Sequence, residues 1–128
     1  MIIRVTMLVL CGIGLYASAF MARKAGRAAR GELTQPSVVA TPRARSFGGV
    51  SNAAIGLAYY AALACAVPFL QIPAVWDVAL AAAVGAAAFS AYLAYSLLFV
   101  TRMPCAYCWT GHVVNWSLLL LAILARPA

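Results

Sequence analysis

Apolar residues fall into four runs, at about residues 2–22, 52–70, 75–100 and 105–125, separated by polar stretches of unequal length. Each run is close to the roughly 20 apolar residues that a helix needs to cross a bilayer core. The pattern predicts an all-α protein, an integral membrane four-helix bundle, with residues 1–128 forming one membrane domain. Ala17-Ser18-Ala19 superficially matches a signal-peptidase site. Arg23 and Lys24 follow at once, however, and the other three spans need a partner to pack against. A retained first helix is expected.

Local signals set the ends. Ser51 predicts a cap for the second span, with Asn52 in its first turn and Tyr59 and Tyr60 two turns deeper. Pro68, Gln71 and Pro73 predict its end, with Ile72–Trp76 as the turn into the third span. That span is rich in alanine, with Gly85 and Ser90, and small residues let membrane helices approach closely. Pro104 suits the first position of the fourth helix. Between the first two spans, Arg23 to Glu32 predicts a basic extension of the first helix along the membrane surface. Thr41-Pro42 predicts a short helix that stops at Gly48-Gly49 and carries Phe47 over the bundle as a lid. A plain connecting loop is the alternative.

Composition agrees with the pattern. Of 128 residues, 66% are hydrophobic and only 9% charged, against about 25% charged in ordinary globular chains. The net charge of +7 is concentrated: Arg23, Lys24, Arg27, Arg30, Arg43 and Arg45 all lie between the first two runs. Beside a membrane such a cluster contacts lipid head groups or sets topology, so nucleic acid is not an expected partner.

The most chemically specific stretch is Met103-Pro104-Cys105-Ala106-Tyr107-Cys108-Trp109-Thr110-Gly111-His112. It puts a Cys-x-x-Cys pair at the mouth of a membrane helix. A helix N-terminus favours negative charge, and the thiolate is the reactive form of cysteine. Spacings of three, four and seven predict Cys105, Cys108 and His112 on one helical face. Cys11 and Cys65 lie deep in apolar runs, so the pair is the expected redox centre of a membrane dithiol oxidoreductase. Two other readings stay open: zinc or copper(I) held by Cys105, Cys108 and His112, and a redox-inactive membrane subunit. No second Cys/His cluster supplies further metal ligands, so no metal is expected. His112 and Asn52 are polar groups in apolar helices, expected to face the interior. They serve either as links between helices or as hydrogen-bond donors to a quinone, with Tyr59, Tyr60, Phe47 and Trp109 as walls for a flat ring. Asn115 and Ser117 are expected only to link helices.

Four segments in order resemble the vitamin K epoxide reductase family: Arg43-Ala44-Arg45-Ser46-Phe47-Gly48, Asn52-x-x-x-Gly56, Tyr92-Leu93-Ala94-Tyr95 with Phe99-Val100, and Cys105-Ala106-Tyr107-Cys108. The resemblance implies a four-helix membrane enzyme holding a quinone, of ubiquinone or menaquinone type, as co-substrate. It implies that Cys108 works on the quinone and that Cys105 exchanges with a separate thioredoxin-like or other dithiol protein. It further implies that Asn52 binds the quinone, that His112 stands where some members carry a ligand-contacting tyrosine, and that residues 41–48 cap the pocket. The chain departs from many members in one respect: its loop from Arg23 to Ser51 contains no cysteine pair.

Orientation is contested. Seven of the nine Lys and Arg lie on the side of the long loop and the cysteine pair, against Arg4 and Arg126 opposite, which predicts a cytoplasmic site by the positive-inside rule. Disulfide-forming chemistry and the resemblance predict the periplasmic side of a bacterial inner membrane. The expectation adopted is the periplasmic side.

Overall fold

Inside a bilayer the backbone must satisfy its own hydrogen bonds, which makes a helix of each long apolar run. A computed structural model describes residues 1–35, 37–45, 49–103 and 105–127, leaving aside the side chain of Arg43. It has four long helices: α1 (Ile2–Ala29), α2 (Asn52–Ala66), α3 (Pro73–Ser96) and α4 (Ala106–Leu124). A 3₁₀ turn, Val67–Phe69, prolongs α2, and a π-helical segment, Leu97–Thr101, prolongs α3. With these extensions, all four are long and apolar enough to cross a membrane. The protein is an all-α membrane bundle.

The ends follow local chemistry, with three departures from expectation. The basic extension of α1 is continuous with the span and closes in a Schellman arrangement. Glu32 N–H donates to the Arg27 carbonyl at 3.0 Å and Gly31 N–H to that of Ala28 at 3.1 Å. Gly31 takes the left-handed conformation (φ 71°) that a residue without Cβ adopts freely. Beyond it, the Arg30 guanidinium bonds Glu32 at 2.9 Å and holds its carboxyl below the usual range. Ser51 caps α2 as expected, accepting from Ala54 N–H at 3.2 Å. The first departure is at Pro73: it is the first residue of α3, so Pro73 to Trp76 form its opening turn rather than a crossing loop. Proline there loses no helical hydrogen bond. Second, α4 begins at Ala106 with Cys105 as its cap, so the first helical position falls to Ala106; Pro104 itself lies outside the described residues. Third, the lid is not one helix. Two 3₁₀ turns, Val38–Ala40 and Pro42–Ala44, meet at Thr41, whose hydroxyl caps nothing and donates back to the Val38 carbonyl at 2.6 Å.

α1 packs along α2 and α4, α3 packs along α4, and α2 meets α3 only sparsely. An apolar core lies in the half of the bundle away from the cysteine pair. Met7 and Cys11 from α1, Leu63, Val67 and Leu70 from the α2 end, Ala79 and Ala83 from α3, and Leu118 and Ala122 from α4 form it. The Trp76 indole closes this end by donating to the Ala122 carbonyl at 2.8 Å. The other half holds a cavity. Its walls include Ala25 of α1, Ser51 at the start of α2, Thr101 at the end of α3 and Cys108 in α4, so the four spans alternate in direction.

Candidate functional site

Cys105 caps α4 from an extended backbone (φ −150°), and its Sγ accepts the Cys108 N–H at 3.2 Å. The two cysteines form a disulfide with their Cα atoms 5.3 Å apart. Cys108 lies in the first turn, where the free N–H groups of the helix converge. Cys108 and His112 both line the cavity, whereas Cys105 does not. The expected common face therefore holds for Cys108 and His112 only. Cys105 leaves it because a cap residue stands outside the helical phase. The pair is thus two-sided, with Cys108 on the cavity wall and Cys105, one disulfide bond away, off it.

The cavity measures about 430 Å³ and is walled almost wholly by apolar atoms, with a few polar side chains converging on it. That size and character suit a small organic ligand. α1 contributes Ala17, Ser18, Met21 and Ala25; α2 contributes Asn52, Tyr59 and Tyr60; α3 contributes Phe89 and Ser90; and α4 contributes Cys108, His112 and Asn115. Val38, Val39 and Ala44 of the first loop line it too, and of these only Ala44 belongs to the 41–48 segment expected as the lid. Phe47, expected in that lid, lies outside the described residues.

His112 is buried and held between two indoles of its own helix, Trp109 at 5.8 Å and Trp116 at 6.2 Å between ring centroids. Trp116 also ties α4 to α3 by donating to the Ala87 carbonyl. Tyr59 lines both this cavity and a smaller apolar one of about 340 Å³ between α2 and α3, and its hydroxyl is buried with no hydrogen-bond partner among the described residues. The start of α4 is clamped to α1 by Tyr107, whose ring stacks on Phe20 at 4.1 Å and meets Tyr16 at 6.5 Å.

Cys108, Asn52, His112 and Tyr59, read from the sequence as site residues, thus meet around one cavity, with Cys105 bonded to Cys108 but not lining it. Asn115 links helices as expected, accepting from Tyr60 and donating to Ser90 at 2.6 Å each. What sequence reading missed is the α1 wall and Ser90. The α1 residues carry no polar signal. Ser90 carried one, but its small size suggested packing alone. Cys11 is buried in the core and Cys65 exposed, both as free thiols. Among the described residues no three His, Cys, Asp or Glu side chains converge as a metal site.

The model of the vitamin K epoxide reductase family matches residues 5–123, nearly the whole chain. The chain belongs to that family. No curated protein matches it. As a vitamin K epoxide reductase family member it is a membrane oxidoreductase, of a family linked generally to quinones and to thioredoxin-like dithiol partners.

Proposed function

We propose that this chain, as a single membrane domain over residues 1–128, passes electrons from a separate dithiol protein to a membrane quinone through Cys105 and Cys108. The observation that carries the reading is the split disulfide: Cys108 on the wall of an apolar cavity with Asn52 and His112, and Cys105 bonded to it but off that wall.

A partner thiolate attacks Cys105 Sγ, and the Cys105–Cys108 bond breaks with Cys108 leaving as thiolate. Its place in the first turn of α4 favours that negative charge. The partner's second thiol then closes the partner's own disulfide and frees Cys105. The resulting dithiol gives two electrons and two protons to the quinone, the Cys105–Cys108 bond re-forms, and quinol returns to the bilayer. Asn52 and His112 stabilise the negative charge that develops on the quinone oxygen, and preorganised donors act most strongly in a site without water. The Tyr59 ring walls the quinone, and Phe47, an aromatic of the 41–48 segment that the family resemblance assigns to the cap, is assigned to the same wall. No cysteine lies between Arg23 and Ser51, so no relay through that loop takes part. The site faces the periplasmic side of a bacterial inner membrane, where the reaction generates disulfides.

Trapping tests this. In membranes carrying Cys108→Ala, Cys105 should hold its thiol partner as a discrete adduct that vanishes on reduction. Absence of an adduct, together with failure of the unaltered protein to reduce added quinone from a dithiol donor, would overturn the proposal.

A further inference from the structure

At the floor of the cavity three side chains from three helices form a directed chain of hydrogen bonds. Tyr60 Oη on α2 donates to Asn115 Oδ1 on α4 at 2.6 Å, and Asn115 Nδ2 donates to Ser90 Oγ on α3 at 2.6 Å. All three line the cavity, and Ser90 and Tyr60 are each 2% exposed. The direction is set at Tyr60. Its other acceptor, the Gly111 carbonyl, is 3.3 Å away, beyond the usual 2.5–3.0 Å of an O–H···O bond. The phenol proton therefore goes to Asn115 Oδ1, which turns the amide nitrogen toward Ser90.

Ser90 is left with a proton to give. A helical hydroxyl usually returns it to the carbonyl four residues back, as Thr6 does to Ile2 and Thr110 to Ala106. Ser90 makes no such bond, and no acceptor for its hydroxyl is found among the described residues. Its neighbour on the open side is the cavity. Asn115 lies seven residues beyond Cys108, about 10 Å along the helix, so Ser90 stands at the end of the cavity far from the disulfide. A para-quinone carries carbonyls at both ends of its ring. With Asn52 and His112 serving the end near Cys108, the far carbonyl needs a donor.

We propose that Ser90 donates a hydrogen bond to the far carbonyl of the bound ring and is held in that orientation by Tyr60 and Asn115. The inference rests on the quinone reading and deepens it: three helices then supply donors, Asn52 from α2, Ser90 from α3 and His112 from α4. Successive bonds of this kind polarise one another, which strengthens the last donor.

The test uses the full chain in lipid nanodiscs, with binding followed by quenching of tryptophan fluorescence. The probes are a methylated naphthoquinone and its one-carbonyl analogue. Ser90→Ala should weaken naphthoquinone binding about fivefold, as expected for one neutral hydrogen bond, and leave the one-carbonyl analogue within twofold. Ser90→Thr, which keeps the hydroxyl, should restore the difference. Tyr60→Phe frees the amide to turn, so it should weaken naphthoquinone selectively as well, and add little when Ser90 is already alanine. A purely structural role would weaken both probes together, and that result would overturn the proposal, as would unchanged binding in Ser90→Ala. Should Ser90→Ala not fold, the same two-probe comparison in Tyr60→Phe decides. If the unaltered protein binds naphthoquinone and Ser90→Ala binds it equally, only the Ser90 assignment fails. If the unaltered protein neither binds nor reduces it, the quinone reading fails too.

Discussion

The Tyr60 ring occupies the space that a side chain on Gly14 would need: a Cβ there would lie 2.6 Å from the ring. Gly14 on α1 is thus the seat for the tyrosine that links α2 to α4. Gly14→Ala must push Tyr60 off its Asn115 partner or push α1 outward. Overpacking of this kind costs typically 1–3 kcal/mol, so the thermal unfolding midpoint in detergent should fall clearly. Gly12→Ala is the control, because nothing lies within 4 Å of a Cβ there. Its midpoint should stay the same or rise slightly.

A second prediction concerns the clamp between α1 and the cysteine pair. Phe20 and Tyr107 stack at 4.1 Å with planes 15° apart, and such pairs add about 0.5–1.5 kcal/mol beyond the area they bury. Phe20→Ala should lower stability by at least that amount, about 1 kcal/mol, and loosen the start of α4. Faster reduction of the Cys105–Cys108 disulfide by a small dithiol would report the loosening. Tyr107→Phe keeps the stack and should match the unaltered protein in both measurements.

The four cysteines should separate by maleimide labelling. In the oxidised protein Cys65 alone should react with a membrane-permeant maleimide in detergent, since it lies on the outer face of a span while Cys11 is buried and the other two are bonded to each other. Mild reduction should add Cys105 and Cys108. Cys11 should appear only on unfolding. Cys65→Ser should leave turnover unchanged, because an exposed thiol on the bundle's outer surface touches neither the disulfide nor the cavity.

Asn52 and His112 differ from the cysteines in what they should cost. Asn52→Ala or His112→Ala removes a donor from the cavity wall without touching the disulfide. If each bonds the quinone, each should raise the quinone KM about fivefold, while exchange with the thiol partner stays normal. Bonds that strengthen as charge develops would lower kcat as well. Steady-state kinetics at varied quinone and fixed dithiol separates the two effects. An unchanged KM in both variants would remove these residues from the binding site.

Much of the architecture is legible from residue type because the bilayer leaves so few alternatives. Apolar runs of spanning length must become helices, Ser51 offers the oxygen that the first turn of α2 lacks, and the Cys-x-x-Cys pair falls at a helix mouth. The less legible features are those decided by competing local chemistry. Pro73 reads as a breaker after α2 but is the first residue of α3, while the extension of α2 already ends at Phe69. Thr41 spends its hydroxyl on the Val38 carbonyl rather than on a cap. At the end of α3 the chain widens into a π-helical segment and stops at Arg102 in the left-handed region (φ 54°), a conformation that costs a residue with a Cβ roughly 1–2 kcal/mol. No residue there announces it.

The sequence by itself determined the membrane setting, the number of spans, the cysteine pair at the mouth of the fourth span and the polar residues within the spans, because each depends on residue type within one or two helical turns. Only the tertiary structure decided that Cys108 lines the cavity and Cys105 does not, that α1 supplies a whole wall, and that Tyr60, Asn115 and Ser90 join across helices. Those relationships depend on the rotation and depth at which helices distant in sequence pack. In this bundle glycine and alanine contacts set that depth, and small apolar residues look alike along the chain whether they face lipid, a neighbour or a cavity.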